Sequence, residues 1–385
     1  MAVKVWISYS KILSGVIGFT LVFGFLPISL NAAVVTWDGG AANRDDWSGS
    51  GGGGKNGDNN WNLNAPPTNG DSLIFAGNTR LTPNNNIVGL QITGIEFASG
   101  AGAFILGGNQ LILTAGSITN NSTNLQTINM ALGLNATITL NAASGDVAIG
   151  GVVTGTLGIT KTGTNNLFLT AANLYTGTTT ISAGTLLANN ASGSATGTGA
   201  VIVGASGTLG GTGTISQLGI NGITVNGTIA PGSGSTPGTL TVNLTTTTGG
   251  IVMNSGSGFQ YHLGAAGVGD LFALLGASSG DFTFNNNNIN FMGTGAIGSY
   301  KLFDTDSANS NTWNGLTVNG SNKITDGLTY SNLSNGYSAF FYLGGGSFGG
   351  DSGDIYVKVI PEPSAAILLS LGALTLAFRR QRASA

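Results

Sequence analysis

The chain has no cysteine, one histidine and very little charge, with 7% of its 385 residues Asp, Glu, Lys or Arg. Without cysteine there is no disulfide, no thiol nucleophile and no Cys-ligated metal, so the fold must hold by packing and hydrogen bonding alone. Between Asp146 and Asp270 there is no Asp or Glu, and Lys161 is the sole charged residue. That stretch lacks the carboxylate pair that acid and base steps on polysaccharides need. Asp270, Asp281, Asp304, Asp306, Asp326, Asp351 and Asp354 stand in turn contexts such as VGD, SSGD and DTD, where turn geometry and solubility are their expected jobs. His262, in FQYHLG, has no Asp within seven residues to orient it, which argues against a general base. With both termini set aside, seven basic residues face fourteen acidic ones, and this net of −7 repels phosphate and excludes nucleic acid as an expected partner. The glycine runs 51–54 and 344–346 lack the strand, helix and lysine of a phosphate loop. No enzyme activity, cofactor or metal is expected.

What the chain has instead is glycine, 66 residues of it, and 41% hydrophobic residues set in short alternations. The stretch 157–187, LGITKTGTNNLFLTAANLYTGTTTISAGTLL, alternates at Leu157 and Ile159, Leu167 and Leu169, and Thr178 and Thr180, then reaches Leu186. This reads as a string of short half-buried strands, with Gly163, Gly177 and Gly184 where the chain reverses. The fragments QLILTA, TITLNA and LFLTA end such runs, placing Leu113, Leu140 and Leu169 at nearly even spacings. Those spacings fall within the roughly 20–50 residues expected of solenoid coils. The expected fold is all-β, a right-handed parallel β-helix in which these three leucines point inward from neighbouring coils.

The stretch KTGTNNLFLTAANLYTGTTTISAGTL resembles the autotransporter-associated β-strand repeat, on Lys161, Gly163, Leu167, Leu169, Asn173, Tyr175, Gly177, Thr178, Gly184, Thr185 and Leu186. Asn165 departs from the glycine usual at its place. The resemblance covers this one stretch of about 30 residues, and the Gly, Thr and Asn run around it is the usual company of that repeat.

The rest of the chain divides around that region. Residues 1–33 carry Lys4 and Lys11, an uncharged apolar run from Ile12 to Leu30, and then Ala32 and Ala33, the order of a secretory signal peptide cleaved by signal peptidase near those alanines. An uncleaved anchor is the competing reading. Residues 34–77 hold Trp37, Trp47 and Trp61 beside Asp38, Asp45, Asp46 and Asp58. They read as an N-terminal cap closing the first coil, or alternatively as a carbohydrate platform or a calcium site. Residues 78–249 read as the solenoid, with Pro231 and Pro237 at coil corners. Residues 250–359, rich in Phe and Tyr, read as a β-rich region of larger coils or a cap.

Residues 360–385 form the last segment. Pro361, Glu362 and Pro363 precede an apolar run from Ser364 to Phe378, followed by Arg379, Arg380 and Arg382. Fifteen helical residues reach about 22 Å, short of the roughly 30 Å hydrocarbon core, and the arginines belong on the cytoplasmic side. This tail resembles the PEP-CTERM sorting signal of Gram-negative bacteria, which implies transient insertion in the inner membrane and processing by an exosortase. The run and its basic end show none of the pattern of a C-terminal membrane barrel, so an autotransporter passenger is not expected despite the repeat's name. The expected function is a non-enzymatic structural protein of the cell surface or extracellular matrix, with exopolysaccharide as a possible partner. The alternatives are a polysaccharide-binding adhesin and, third, a carbohydrate-active β-helix enzyme.

Overall fold

Runs of Val, Ile, Leu and Thr punctuated by glycine favour extended backbone with one face buried. The computed structural model is accordingly all-β, without a helix among the residues it describes: 32–40, 44–48, 60–216, 222–244, 250–276, 282–292, 295–305, 316–318, 322–323, 329–333, 337–344 and 353–361. No helix among them is long and apolar enough to cross a membrane, and the expected signal and tail helices lie outside the described residues.

The strands stack in three parallel columns. One starts at Val34–Trp37 and continues through Ser72–Phe75, Gly94–Phe97, Ser117–Asn120, Ile138–Ala142 and Ile159–Thr162 as far as Phe282–Thr283. A second starts at Asn84–Asn85 and passes through Val147–Ile149, Asn166–Leu169 and Gly258–His262 to Leu316–Val318. The third comes in two blocks, Gln91–Ile92 to Val153–Gly155 and Thr214–Ser216 to Gly298–Thr305. The arrangement is consistent with a parallel β-helix, whose coils bury their apolar positions only against the coils above and below. In the first column the inward series reads Val35, Leu73, Ile95, Ile118, Leu140, Lys161, Ile181, Val203, Val225 and Met253, all of them buried.

That series corrects the expected coil period. Ile118 pairs with Leu140 and Leu140 with Lys161, so each coil here is shorter than the step from Leu113 to Leu140 or from Leu140 to Leu169. Leu113, Leu140 and Leu169 are all buried on parallel strands but belong to three different columns: Leu113 pairs with Ile92 and Leu134, Leu140 with Ile118 and Lys161, and Leu169 with Ile149 and Ala188. The similar fragments recur because every face of a coil has the same strand grammar. The spacing between these leucines is one coil plus the step to the next face.

Two local readings also shift. Thr178 is exposed and Thr180 half-buried, while Thr179 and Ile181 are the inward pair, a one-residue slip that turns the alternation over. Leu157 is exposed as well. Gly163 and Gly184 do adopt positive φ, of 75° and 68°, but Gly177 is not among the glycines that do. At Gly177 the need is close approach, because a Cβ would collide with the backbone of Leu157 and Gly158 in the adjacent coil.

Beyond Gly250 the parallel ladders run on with larger coils, since the steps from Val225 to its partner Met253 and from Phe259 to its partner Ile289 are longer than the step from Leu140 to Lys161. A wider coil has more interior to fill, and here Phe259, Tyr261, Phe272, Phe282, Phe284 and Phe303 fill it with rings, the Phe259 and Phe303 centroids 4.9 Å apart. Gly298–Thr305 then pairs in parallel with Leu271–Leu275 and antiparallel with Ile355–Pro361, which continues antiparallel to Tyr337–Leu343 and Thr329–Leu333.

Leu169→Asp is expected to place an unpaired carboxylate between Ile149 and Ala188 in this interior. The cost is several kcal/mol, a large share of what holds a domain folded, and a thermal unfolding midpoint equal to wild type would show that the side chain is not core.

Candidate functional site

The apolar and long polar residues that carry the repeat are interior, whereas Thr178 is exposed and Thr185 and the three glycines are half-buried. Leu167, Leu169 and Leu186 pack in the second column, and Lys161, Asn173 and Tyr175 are buried polar groups, each with a defined job. Lys161 sits in the aliphatic column between Leu140 and Ile181, yet its Nζ reaches the turn and donates to the carbonyls of Thr162 (2.7 Å), Gly163 (2.9 Å) and Ala183 (3.1 Å). The three donors of an ammonium are thereby matched across two coils. A Cβ on Gly184 would come within 2.8 Å of that Nζ, so the glycine leaves room for the lysine as well as taking the left-handed turn. Burial pulls the Lys161 pKa down to about 8, against the upward pull of the Asp146 carboxylate.

Asn173 acts as a side-chain rung where the third column is interrupted. Its Oδ1 accepts the Val153 N–H at 2.8 Å from the coil on one side, and its Nδ2 donates to the Ala195 carbonyl at 2.6 Å on the other. The Tyr175 hydroxyl bonds Thr179 Oγ1 at 2.6 Å, and burial raises its pKa far above the ordinary tyrosine range. Asn165, at the place of the usual glycine, donates through Nδ2 to the carbonyls of Ala142 and Ala143.

At the opening of the chain, Trp37, Trp47 and Trp61 are buried, packed edge to face with centroids 5.3 and 5.6 Å apart, and all three rest on Phe75. Their ring faces are covered and offer no platform for a sugar. The neighbouring carboxylates hold the chain in place: Asp45 accepts from Arg80 and Thr82, Asp46 from Asn84, and Asp38 from the Gly40 N–H. Asp58 lies outside the described residues. Among the described residues no three His, Cys, Asp or Glu side chains gather to hold a metal ion.

Two carboxylates that the sequence assigns to turns and solubility are buried instead. Asp354 accepts the Thr305 N–H and the Tyr356 hydroxyl and lies 2.8 Å from Lys301 Nζ, which also reaches Asp304 at 3.0 Å. Burial works against the Lys301 charge, but the bonds to Asp354 and Asp304 outweigh it and raise its pKa above the ordinary lysine range. This pair of carboxylates shares a cation and ties antiparallel strands together, so it is a cross-link rather than an acid and base pair. Asp270 lies just beyond the sequence window searched around His262 and is the partner that such a search misses. Its Oδ2 accepts the His262 N–H at 2.6 Å and lies 3.5 Å from His262 Nδ1, and its Oδ1 accepts the Gly238 N–H at 3.0 Å. Burial raises the Asp270 pKa, opposed by the bonds from His262 and Gly238. Asp281, Asp306, Asp326 and Asp351 lie outside the described residues.

The terminal motifs meet the described chain at their edges. Ala32 is exposed and Ala33 half-buried, immediately before the first strand. Pro361 ends the strand Ile355–Pro361, whereas Glu362, Pro363, Arg379, Arg380 and Arg382 lie outside the described residues.

Residues 159–188 match the passenger-associated-transport-repeat family. The matched span covers the stretch whose buried lysine, asparagine and tyrosine have just been described. No curated protein and no solved structure matches the chain. A repeat of this family, on a parallel β fold, points to an extracellular protein of passenger type, secreted or held at the surface of a Gram-negative cell.

Lys161→Met is expected to leave turn carbonyls unpaired inside the stack and to lower stability by about 1–3 kcal/mol. The pH profile separates this from simple packing loss. With the folded lysine at about 8 and the unfolded one near 10.4, the unfolded state binds more protons between those values, so wild-type stability should rise as pH goes from about 8 to about 9.5. Denaturant unfolding across that window should show the rise in wild type and a flat profile in Lys161→Met. A flat wild-type profile would place the ammonium in water.

Proposed function

We propose that the chain is a non-enzymatic structural protein of the cell surface or extracellular matrix. In this reading it is a right-handed β-helix, exported behind a cleaved signal peptide and released or sorted through its C-terminal tail. The observation that carries the reading is where the repeat directs its residues. Lys161, Asn173 and Tyr175 bond turn to turn and coil to coil inside the stack, leaving an outer surface largely of Thr, with Leu157 and Leu174 also exposed. A repeat built this way makes a stiff rod, and a stiff rod serves as a spacer or scaffold. Signal peptidase and an exosortase would be its processing enzymes, and exopolysaccharide its surroundings.

The geometry around Ala33 supports export with cleavage, and favours one bond. The Ala33 N–H donates to Asp71 Oδ1 at 2.9 Å, while Asp71 Oδ2 takes the Thr68 N–H and hydroxyl. Asp71 is buried, and among the described residues no cation stands beside it. Cleavage between Ala32 and Ala33 would create an α-ammonium where that N–H now lies, converting a neutral donor into a charge-assisted one. Cleavage after Ala33 would remove the donor. The exported protein is therefore expected to begin at Ala33 by intact mass and N-terminal sequencing. A start at Val34 would refute this role of Asp71, and peptides from 12–30 in the mature protein would mean a retained anchor.

For the tail, the short apolar run suits a substrate held briefly in the membrane better than a lasting span. The arginines orient it so that Pro361, Glu362 and Pro363 face outward, and the Glu362 charge keeps the motif out of hydrocarbon. Glu362→Ala is expected to leave export intact and to trap full-length protein in the inner membrane of cells carrying an exosortase. Equal release of wild type and variant, read by cell fractionation, would make the tail an ordinary anchor.

A further inference from the structure

We propose that the outer groove beside His262 is a binding site for one neutral, hydroxyl-rich sugar unit of a polysaccharide. The groove is a cavity of about 240 Å³ on the second column, and three of its lining residues, Asn166, Thr185 and Thr208, are register partners on successive coils. Parallel neighbours stand about 4.8 Å apart, so amide and hydroxyl groups follow one another at intervals within the span of one sugar ring. Gln260 and His262 line the same cavity from the strand Gly258–His262.

Polar groups in this groove are left without protein partners. Among the described residues the side chains of Thr185, Thr208, Ser233 and Gln260 make no hydrogen bond, and Asn166 uses only Nδ2, toward Asp146 at 3.3 Å. Half-buried amides and hydroxyls that the fold does not use, converging on one cavity, are the usual means by which a binding site fixes a ligand's orientation.

One buried carboxylate positions two parts of this site. Asp270 holds the His262 backbone and sits beside Nδ1, which leaves Nε2 as the free nitrogen, and through Gly238 it pins the 231–238 loop that walls the groove. Gly232 belongs to that wall with φ of 84°, and a Cβ there would collide with Asp270 Oδ1. The wall and the imidazole are therefore fixed with respect to each other.

The charge of the lining selects the ligand class. It contains no Lys, Arg, Asp or Glu, and the two carboxylates bonded to lining residues, Asp270 through His262 and Asp146 through Asn166, both oppose an anion. A phosphate or uronate would find no cation, whereas a neutral sugar finds amide, hydroxyl and imidazole partners on one side and the apolar strip of Leu187, Ala230 and Pro231 for its C–H face on the other. This reading is independent of how the chain is exported or processed.

The test is calorimetric titration of the purified full chain with neutral β-1,4-glucan, β-1,3-glucan, α-1,4-glucan and galactan oligosaccharides, with oligogalacturonate as the charged comparison. At least one neutral oligosaccharide should bind saturably. Gln260→Leu and Thr208→Val should each weaken that binding about tenfold, the loss of one well-placed hydrogen bond, at wild-type thermal stability. Thr160→Val, outward on the first column, should bind like wild type. No saturable binding to any neutral member would overturn the proposal, as would preference for oligogalacturonate or binding that neither groove variant weakens.

Discussion

Parallel stacking of coil on coil is the constraint from which the rest of this structure follows. A single coil as short as the step from Leu140 to Lys161 cannot enclose its own apolar side chains, and its inward positions are covered by their register partners above and below. Every inward residue is thus judged by two neighbours at once, and both ends of the stack carry a coil with one side uncovered. The amino end is closed by three tryptophans packed on Phe75. At the other end, the parallel strand Gly298–Thr305 is covered by an antiparallel sheet, so its hydrogen bonds continue instead of ending at an open edge.

Lys161 shows how the repeat departs from a plain aliphatic interior. A leucine at its place would continue the column formed by Leu140 and Ile181, but the turn carbonyls of Thr162, Gly163 and Ala183 would then lose the donor they share across two coils. The lysine stem fills the apolar volume and its head satisfies three oxygens, so one residue does the work of a core side chain and of a turn cap. The lowered pKa records the cost of desolvating the charge, which the Asp146 carboxylate offsets only in part. Asn173 solves the same problem with an uncharged group, its one amide bridging neighbouring coils where the third column breaks off.

Alternation, glycine content and the repeat motif made the parallel β character and the buried leucines legible in the sequence, because both depend on residues next to one another in the chain. The coil period was not legible. It is a relation between residues a full turn apart, and similar strands on three faces imitate it with a false spacing. The slip at Thr178 and Thr180 has a related cause, since a run of threonines presents the same chemistry in either register and only Ile181, pairing with Lys161, decides which face is inside. Gly177 reads like its neighbours in sequence but answers to a different coil. Asp270 was assigned to a turn because local sequence shows spacing and not burial. Only the fold brings it against both His262 and Gly238.

An interior committed this fully to its own bonding leaves recognition to the outward positions, and these are not uniform along the rod. The coils widen near residue 230, and the added residues form the 231–238 loop, whose Ser233 and Thr236 pair across a tight turn and stand against the ladder. That loop creates the concavity beside His262. Burial of Asp270 beneath it then becomes intelligible, since a glycine-rich loop of this length would otherwise be free to collapse or sway, and a dry carboxylate bonded to both wall and strand removes that freedom. The widening of the coils thus has two consequences with one cause: an aromatic interior to fill the larger cross-section, and an outer wall that turns a flat ladder into a groove.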